Sequence, residues 1–584
     1  MMFDRRKEQL IAKIQSFCEA KGLPIQKAEL RNIPFSGEWG VALPFFPLAA
    51  ADRDRSGSVP QHAQALAEAL KAELGIPEGF SRLEAVNGYL NLYFSTSEYA
   101  KEVVTSVLNE SNRYGSRPGS GKPTMIEYSN PNTHKPLHVG HLRNVILGGA
   151  VSNLLEASGK PVVRVNYIGD IGLHVIKWMC NYEMYHAGEE PAADKMRWMA
   201  DLYAEADKRF SEDPAFEHAV RAYFARWDGG EQHLKDLWLL TRAWSMEGFE
   251  QVYDLLGEHF DHIYFESEVE EPGKLLVEDL IKSGLAEDGR PENPVIIDLD
   301  KKLGTKEEYR VAVILRSDGT SLYATKEIPL AIMKFSDYEL DESIYVIDVR
   351  QSLHMKQMKK VLELMGYEWA PRMRHLAYEI VNLPGNVTMS SRDGTVVLLD
   401  DLIREATERA LAIVREKNPS LSEAETREVA LEVALGAIKY PMISRENTKI
   451  VTFDWETALD FNGQSAPYIQ YAHVRANSIL TKAGGRKPER FDFDYDLQPS
   501  EINLIEMISH FPVEVERAAK ELKPSLIATY AYDLAKSFSD FYNQCQVINA
   551  SAEIRGARLA LVDAARITIK NALKLIGIKA PRIM

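Results

Sequence analysis

The sequence predicts an α/β protein in three parts: a parallel-sheet core, a small α+β unit before it and an all-helical bundle after it. Three patterns lead to this reading. Met125–Tyr128 and Val162–Tyr167 are short apolar runs on either side of Val145–Leu155, whose apolar residues recur at helical spacing, which makes a βαβ unit. The stretch from Ile176 to about Leu285 is helical in pattern and rich in Trp, Tyr and charge, so it reads as an insertion into that core. From Leu402 onward helical spacing runs almost to the end, apart from Gly484–Pro499, as in a bundle.

Taken in chain order, Lys7–Lys21 and Pro60–Leu74 read as helices, and Val86–Phe94 reads as one alternating strand. Arg113–Pro123, rich in Gly, Ser, Pro and Arg, reads as a linker. After the insertion, strand-like runs return at Pro294–Leu299, Tyr309–Arg316, Ser343–Val349 and His375–Val381, with helices between them, and restore the α/β core. The expected domains are 1–112, 113–400 with an insertion at about 176–290, a helical connection at 401–462, and 463–584.

Composition narrows the class. An apolar fraction of 45% and a charged fraction of 26% are those of an ordinary globular chain. No segment approaches the roughly 20 apolar residues of a membrane span, and Met1–Arg6 has no signal-like core. Cys18, Cys180 and Cys545 are far apart and without metal-ligand spacing, so a reducing, cytoplasmic location without disulfides is expected. The net charge of −16 argues at first against a nucleic-acid partner. Its distribution does not: residues 465–584 hold 16 basic against 13 acidic side chains, and 551–584 hold 7 against 2. An acidic body with a basic end can dock RNA at that end.

Chemistry concentrates in Ser129-Asn130-Pro131-Asn132-Thr133-His134-Lys135-Pro136-Leu137-His138-Val139-Gly140-His141, between the first strand and its helix. A helix start carries unpaired N–H groups and partial positive charge, which favour phosphate. His138 and His141 lie at i and i+3, on one face of the first turn, where both can donate to phosphate oxygens. Gly140 lets a flat base approach the backbone. The segment reads as a triphosphate cradle. A metal site at His134, His138 and His141 lacks a carboxylate to complete a familiar zinc pattern.

Together with later segments, this motif resembles those of the class I aminoacyl-tRNA synthetases, and of the arginyl-tRNA synthetase family in particular. His138-Val139-Gly140-His141 is similar to their HIGH motif, and Thr388-Met389-Ser390-Ser391-Arg392 occupies the place of their KMSKS loop. Asn166–Gly172, Ser317–Glu327, Gly463–His473 and the terminal Ile578–Met584 resemble further family segments, in family order. Asn87-Gly88-Tyr89-Leu90-Asn91 resembles part of the family's added N-terminal domain, which contacts the tRNA elbow. The resemblance implies a Rossmann-like catalytic core and an anticodon-binding bundle at 463–584. It implies ATP-dependent ligation of L-arginine to tRNA(Arg) through an arginyl-adenylate, formed only with tRNA bound.

The implied site follows residue by residue. Lys135, His138, His141 and Arg392 would be catalytic. ATP would meet His138, Gly140, His141 and the loop residues Met389, Ser390 and Ser391, with Gly385 and Gly394 as flanking hinges. The wider class carries lysines where this chain has Thr388 and Ser391; many arginyl enzymes carry one just upstream of the histidines instead, and Lys135 fits that substitution. Glu127 and Asn132 would hold the backbone end of arginine, with Tyr323, Glu327 and Gln351 around its side chain. Position 327 is usually Asp in the family; the longer Glu means either a reshaped pocket or a different guanidinium partner. Tyr468, Tyr471, His473 and Met584 would meet tRNA, the aromatic rings by stacking on bases. The implied partners are tRNA(Arg), ATP with Mg2+ as a substrate complex, and L-arginine, with no tightly bound cofactor, no metal site and a monomeric state. Three readings stay open beside this one: a class I synthetase for another amino acid, a tRNA-independent nucleotidyltransferase of the same superfold, and a non-catalytic tRNA-binding paralogue.

Overall fold

The structure is a computed structural model. It describes all residues except 1, 25–28, 34–38, 53–56, 192–193, 384–386, 389–397 and 486–489, with backbone alone for 2–8, 32, 383, 387 and 388. The N-terminal unit runs α1 (Met2–Ala20), β1 (Arg31–Asn32), β2 (Gly40–Pro44), α2 (Phe46–Ala51), α3 (Val59–Leu74), β3 (Phe80–Val86), β4 (Tyr89–Phe94) and α4 (Thr96–Glu110). Its sheet has the antiparallel order β1-β2-β4-β3. The single strand expected over Val86–Phe94 is therefore the second half of a hairpin. Asn87 and Gly88, with φ of 50° and 78°, make the turn that joins β3 to β4, as Asn-Gly does in tight hairpins.

The core is a five-stranded parallel sheet in the order β12-β11-β5-β6-β7. In chain order it comprises β5 (Thr124–Glu127), α5 (Val139–Ala157), β6 (Val162–Ile168), the insertion α6 (Leu173–Tyr185), α7 (Lys195–Glu212), α8 (Pro214–Asp228) and α9 (Gln232–Leu256), then β7 (His262–Phe265) and α10 (Glu266–Lys282). There follow β8 (Glu287–Asp288), β9 (Val295–Asp298), α11 (Leu299–Leu303), β10 (Val311–Leu315), α12 (Tyr323–Asp337), β11 (Glu342–Asp348), α13 (Ser352–Leu364) and β12 (Met373–Tyr378).

Two expectations change here. The helical insertion ends before β7, which pairs parallel with β6, so 262–265 belongs to the central sheet and not to the insertion. The strands expected at 294–299 and 309–316 form a separate antiparallel sheet with β8, in the order β10-β9-β8. The difference lies in burial: every residue of β5 is buried, whereas β10 alternates and leaves Val311 and Val313 exposed. A strand covered on both faces suits a parallel sheet, and one with a wet face suits an antiparallel one.

The chain continues through β13 (Val381–Leu383), β14 (Val387–Thr388), α14 (Leu399–Lys417), α15 (Glu423–Ile443), β15 (Val451–Thr452) and α16 (Trp455–Ala458) into the terminal bundle α17 (Ala466–Lys482), α18 (Pro499–Glu521), α19 (Pro524–Gln544) and α20 (Ala552–Leu575). The expected linker at 113–123 is docked: Tyr114 is buried and donates to Ile508 O at 2.9 Å, and Arg117 N–H donates to Ala157 O at 2.8 Å.

Helix α5 is buried on nearly every face, by the sheet on one side and by α15 and α18 on the other. A helix apolar all round belongs inside. Its close fit depends on two glycines. A Cβ on Gly148 would sit 2.2 Å from the Tyr128 ring, and one on Gly149 would sit 2.0 Å from the Glu258 carboxylate. Gly148→Ala is therefore expected to cost about 1–3 kcal/mol, read as a lowered midpoint in urea. A wild-type midpoint would show that Tyr128 moves aside freely.

Candidate active site

The loop from Ser129 to Leu137 is held in an uncommon shape. Ser129, Asn130 and His134 have φ of 77°, 50° and 63°, in the left-handed region that non-glycine residues seldom occupy. Buried hydrogen bonds compensate. Ser129 N–H donates to Asn144 Oδ1 at 2.5 Å, Asn130 N–H to Asn166 Oδ1 at 3.0 Å, and Tyr167 N–H to Asn130 Oδ1 at 3.1 Å. His134 is fully enclosed, its ring nitrogens 2.9 Å from Thr133 Oγ1 and 2.8 Å from Thr241 Oγ1 on α9. Burial lowers its pKa to about 3, so it is a neutral brace between loop and insertion. Asp170 is a second brace: it accepts from Arg242 at 2.8 Å and from the Ser267 amide at 2.9 Å, tying α9 to the start of α10.

The two motif histidines cap α5. Gly140 N–H donates to His138 Nδ1 at 3.1 Å, and His138 N–H donates to His141 Nδ1 at 3.3 Å. Both Nδ1 atoms accept, so each ring proton resides on Nε2. Burial, then the neighbouring Lys135, lowers His138; burial, then His138 and Lys135, lowers His141 well below the usual value. The pair is thus neutral and offers two Nε2–H donors at a helix start. Gly140 has a local reason as well, since a Cβ there would come within 2.9 Å of the His138 ring. Lys135 lies beside them with its ammonium 5.7 Å from the Tyr203 ring of α7. Lys177 lies 5.1 Å from the same ring and pairs with Asp207. Burial and then Lys177 lower the Lys135 pKa.

Beside this helix start lies a cleft of about 530 Å³, lined by residues at or just beyond the carboxyl ends of the central strands and by side chains of α5, α12 and α13. Such strand ends are where parallel sheets bind ligands. It brings together Glu127, Asn132, Tyr323, Glu327 and Gln351, the whole arginine set expected from the sequence, with His141. Missed by that reading were Glu266, Asp348, Arg350 and His354, which also line it. Its four carboxylates all have basic partners. Glu127 pairs with the buried Lys334 and accepts from Asn130 Nδ2 at 3.0 Å. Glu266 pairs with Lys326, which also reaches Glu270 at 3.3 Å. Asp348 meets Arg350 at 2.8 Å, and Glu327 meets His354. Burial opposes protonation of His354, yet the Glu327 carboxylate outweighs it and raises the pKa above the usual value. Lys326 is a largely buried partner.

Met389, Ser390, Ser391 and Arg392 lie outside the described residues, as do Gly385 and Gly394. Their flanks are fixed: β14 pairs with β13, and Leu398 bridges His138. Among the described residues no group of His, Cys, Asp or Glu is arranged to hold a metal ion, and no described helix is long and apolar enough to cross a membrane.

The expected RNA-contacting residues separate into two kinds. Tyr471 is half-buried, with Arg475 4.8 Å from its ring and an equal 4.8 Å from Tyr542. Tyr468 is half-buried against Tyr532, ring centroids 5.4 Å apart. His473 and Met584 require correction: they are 2% and 4% exposed, which leaves no face for a base. His473 Nδ1 is 2.9 Å from Pro581 O, and burial lowers its pKa to about 4, so with Met584 it fastens the terminal tail into the bundle.

A cleft at the carboxyl ends of a parallel sheet, with paired imidazole donors on the first turn of the helix after the first strand, defines the catalytic core of a class I nucleotide-activating ligase. Residues 103–455 match the class I (R) tRNA synthetase catalytic domain, and 469–584 match the DALR anticodon-binding domain. Curated relatives include the arginine–tRNA ligase of Clostridium acetobutylicum, 36% identical over 86% of this chain and 87% of its own length. That of Bdellovibrio bacteriovorus is 35% identical over 95% and 94%. The solved arginyl-tRNA synthetase of Thermus thermophilus superposes with a TM-score of 0.77 at 28% identity, covering 99% of this chain and 100% of that one. The chain belongs to the arginyl-tRNA synthetase family of class I aminoacyl-tRNA synthetases.

Met584→Ala should lower the unfolding free energy by about 2–4 kcal/mol, as expected for truncating a buried Met, while tRNA affinity below the transition stays within twofold of wild type. Filter binding checks the second part; weakened affinity in a folded variant would return Met584 to the RNA surface.

Proposed function

We propose a division of labour within this site for the reaction of the family, the ATP-dependent ligation of L-arginine to tRNA(Arg). The observation that carries it is the acidic cleft, with its cationic partners, beside the histidine-capped helix start. A guanidinium presents five donors in a fixed fork, which carboxylates match. In this reading Tyr323 and Glu327 receive the arginine side chain, with Gln351 beside them at the start of α13, while Glu127 and Asn132 face its backbone end. Lys334 and Asn130 orient Glu127, and each of its oxygens retains a lone pair for the substrate ammonium.

Activation joins the arginine carboxylate to the α-phosphate of ATP and expels pyrophosphate, so negative charge builds in the transition state. Catalysis there is mostly positioning and charge stabilisation. The Nε2–H groups of His138 and His141 donate to the phosphates, and Gly140 offers backbone to the adenine. Lys135 supplies the point charge that Thr388 and Ser391 cannot, with Arg392 as a further cation and Met389–Ser391 as the closing loop. Mg2+ enters with ATP. In the bundle, Tyr471 with Arg475 and Tyr542 is the stacking surface for unpaired anticodon bases, with Tyr468 beside it. The N-terminal domain meets the tRNA elbow. The protein works as a cytoplasmic monomer.

Aminoacylation with each of the twenty amino acids, with and without total tRNA, tests the reading: arginine alone should be charged. Lys135→Ala should slow tRNA-supported pyrophosphate exchange by about 10²–10³-fold, as for loss of a charge-stabilising donor, and leave tRNA affinity nearly intact. A rate within threefold of wild type would reject the role. Glu327→Gln should raise the arginine KM far more than the ATP KM; equal effects would place the residue outside the amino-acid pocket.

A further inference from the structure

The carboxylates of the cleft differ in the kind of partner they have. Lys334 on Glu127, Lys326 on Glu266 and Arg350 on Asp348 belong to residue types that ordinarily carry a full charge at neutral pH. Each such pair presents little net charge to a ligand. Glu327 alone among the four is met by an imidazole, a partner that can be neutral. A neutral imidazole donating from Nε2 takes one lone-pair site on Glu327 Oε2 and leaves the negative charge and the Oε1 edge for a cation. The extra methylene of Glu over Asp adds a rotatable bond, and this contact removes its freedom.

We propose that His354 is a specificity-positioning residue for the amino-acid substrate: in its neutral form it fixes the Glu327 carboxylate and keeps its charge available to the guanidinium. The inference rests on the reading of this cleft as the arginine site. It adds that recognition depends on the charge state of position 354 as well as on the acid at 327. Other titratable groups around the pair do not take over the role. Tyr323 from α12 lies at the mouth and is 72% exposed, while Tyr167 and Tyr378 line the wall. On β12, which packs against α13, His375 turns its Nε2 to Ile347 O at 3.0 Å. The sign follows. Below its raised pKa, His354 is an imidazolium that neutralises Glu327 and competes with the guanidinium; above it, the carboxylate is free. Arginine should therefore bind more weakly as the pH falls through that value.

The test is pyrophosphate exchange with tRNA, measuring the KM for arginine and for ATP in wild type, His354→Lys, His354→Gln and Glu327→Gln, from pH 6 to 8.5. His354→Lys places a permanent cation on Glu327 and should raise the arginine KM at pH 8.5 by tenfold or more, roughly the worth of a charged hydrogen bond. His354→Gln keeps a neutral donor and should stay within about threefold of wild type. The ATP KM should move less than twofold in both. Wild type should show an arginine KM that rises toward pH 6, and His354→Gln should lose most of that rise. Equal effects of Lys and Gln at 354, or the same acid rise in wild type and His354→Gln, would overturn the inference. Should H354K fail to fold, the two pH profiles decide alone. Glu327→Gln separates the two levels: if it raises the arginine KM while the 354 series is flat, the arginine site stands and the role of His354 falls. If both are flat, the cleft itself is misread.

Discussion

The site depends on a helix that has no freedom to move. Helix α5 is enclosed by the sheet, by α15 and by α18, with Gly148 and Gly149 in contact with Tyr128 and Glu258. Arg143, two residues beyond the second motif histidine, is almost wholly buried and donates to the carbonyls of Glu379, Ile380, Asn447 and Lys449. A guanidinium with that many partners binds the helix to the two segments that lead into the paired strands β13 and β15. The first turn of α5 is consequently fixed relative to the strand ends, to Leu398 and to the terminal bundle. Capping adds to this rigidity. His138 and His141 satisfy backbone N–H groups through Nδ1, which determines their tautomer and leaves a proton on each Nε2. One arrangement thus completes the helix end and, in the proposed function, supplies the phosphate donors.

Charge is handled by the opposite device. A cleft that receives a cationic amino acid beside a triphosphate must contain acids without leaving them uncompensated in the interior, where an unpaired charge is costly. Lys334 and Lys326 resolve this for Glu127 and Glu266, and both lie on α12, the helix that also carries Tyr323 and Glu327. One amphipathic helix therefore presents its cleft-lining residues and the partners of the neighbouring acids together. That pairing also lets a chain with net charge −16 keep a cluster of acids at the strand ends without self-repulsion dominating there.

Much of this was legible in the sequence, and the failures have physical causes. The βαβ unit was readable because β5, α5 and β6 show their burial in continuous apolar runs and helical spacing. The Asn87-Gly88 turn was overlooked because alternation continues through it, although the dipeptide itself is the hairpin signal. The strand β7 is four residues long between two helices, too short for a period to show. The residues expected around arginine come together in one cleft because the resemblance specified positions. The cleft acids' partners Lys334, Lys326 and His354 were not legible, because each pairing is made between elements distant in sequence. His473 and Met584 were misplaced for a related reason: aromatic and terminal residues near a recognised segment suggest a surface, and only packing shows that they secure a tail.

In the proposed function the helical insertion has a part in the chemistry that composition does not show. In the wider class the charge that meets the phosphates resides on a loop; here Thr388 and Ser391 carry none, and the proposal gives that role first to Lys135. Lys135 directly follows His134, which is wedged between Thr133 and Thr241, and its ammonium lies over Tyr203 of α7. Both contacts on the far side come from the insertion. A cation held this way is in place before any loop closes, so less reorganisation is left for the reacting state. The same placement makes the insertion part of the active site's electrostatics: Lys177, Asp207 and Tyr203 set the field in which Lys135 resides. Changes to the insertion should therefore act first on the phosphate half of the reaction and leave the arginine cleft, built on α12 and the strand ends, comparatively untouched.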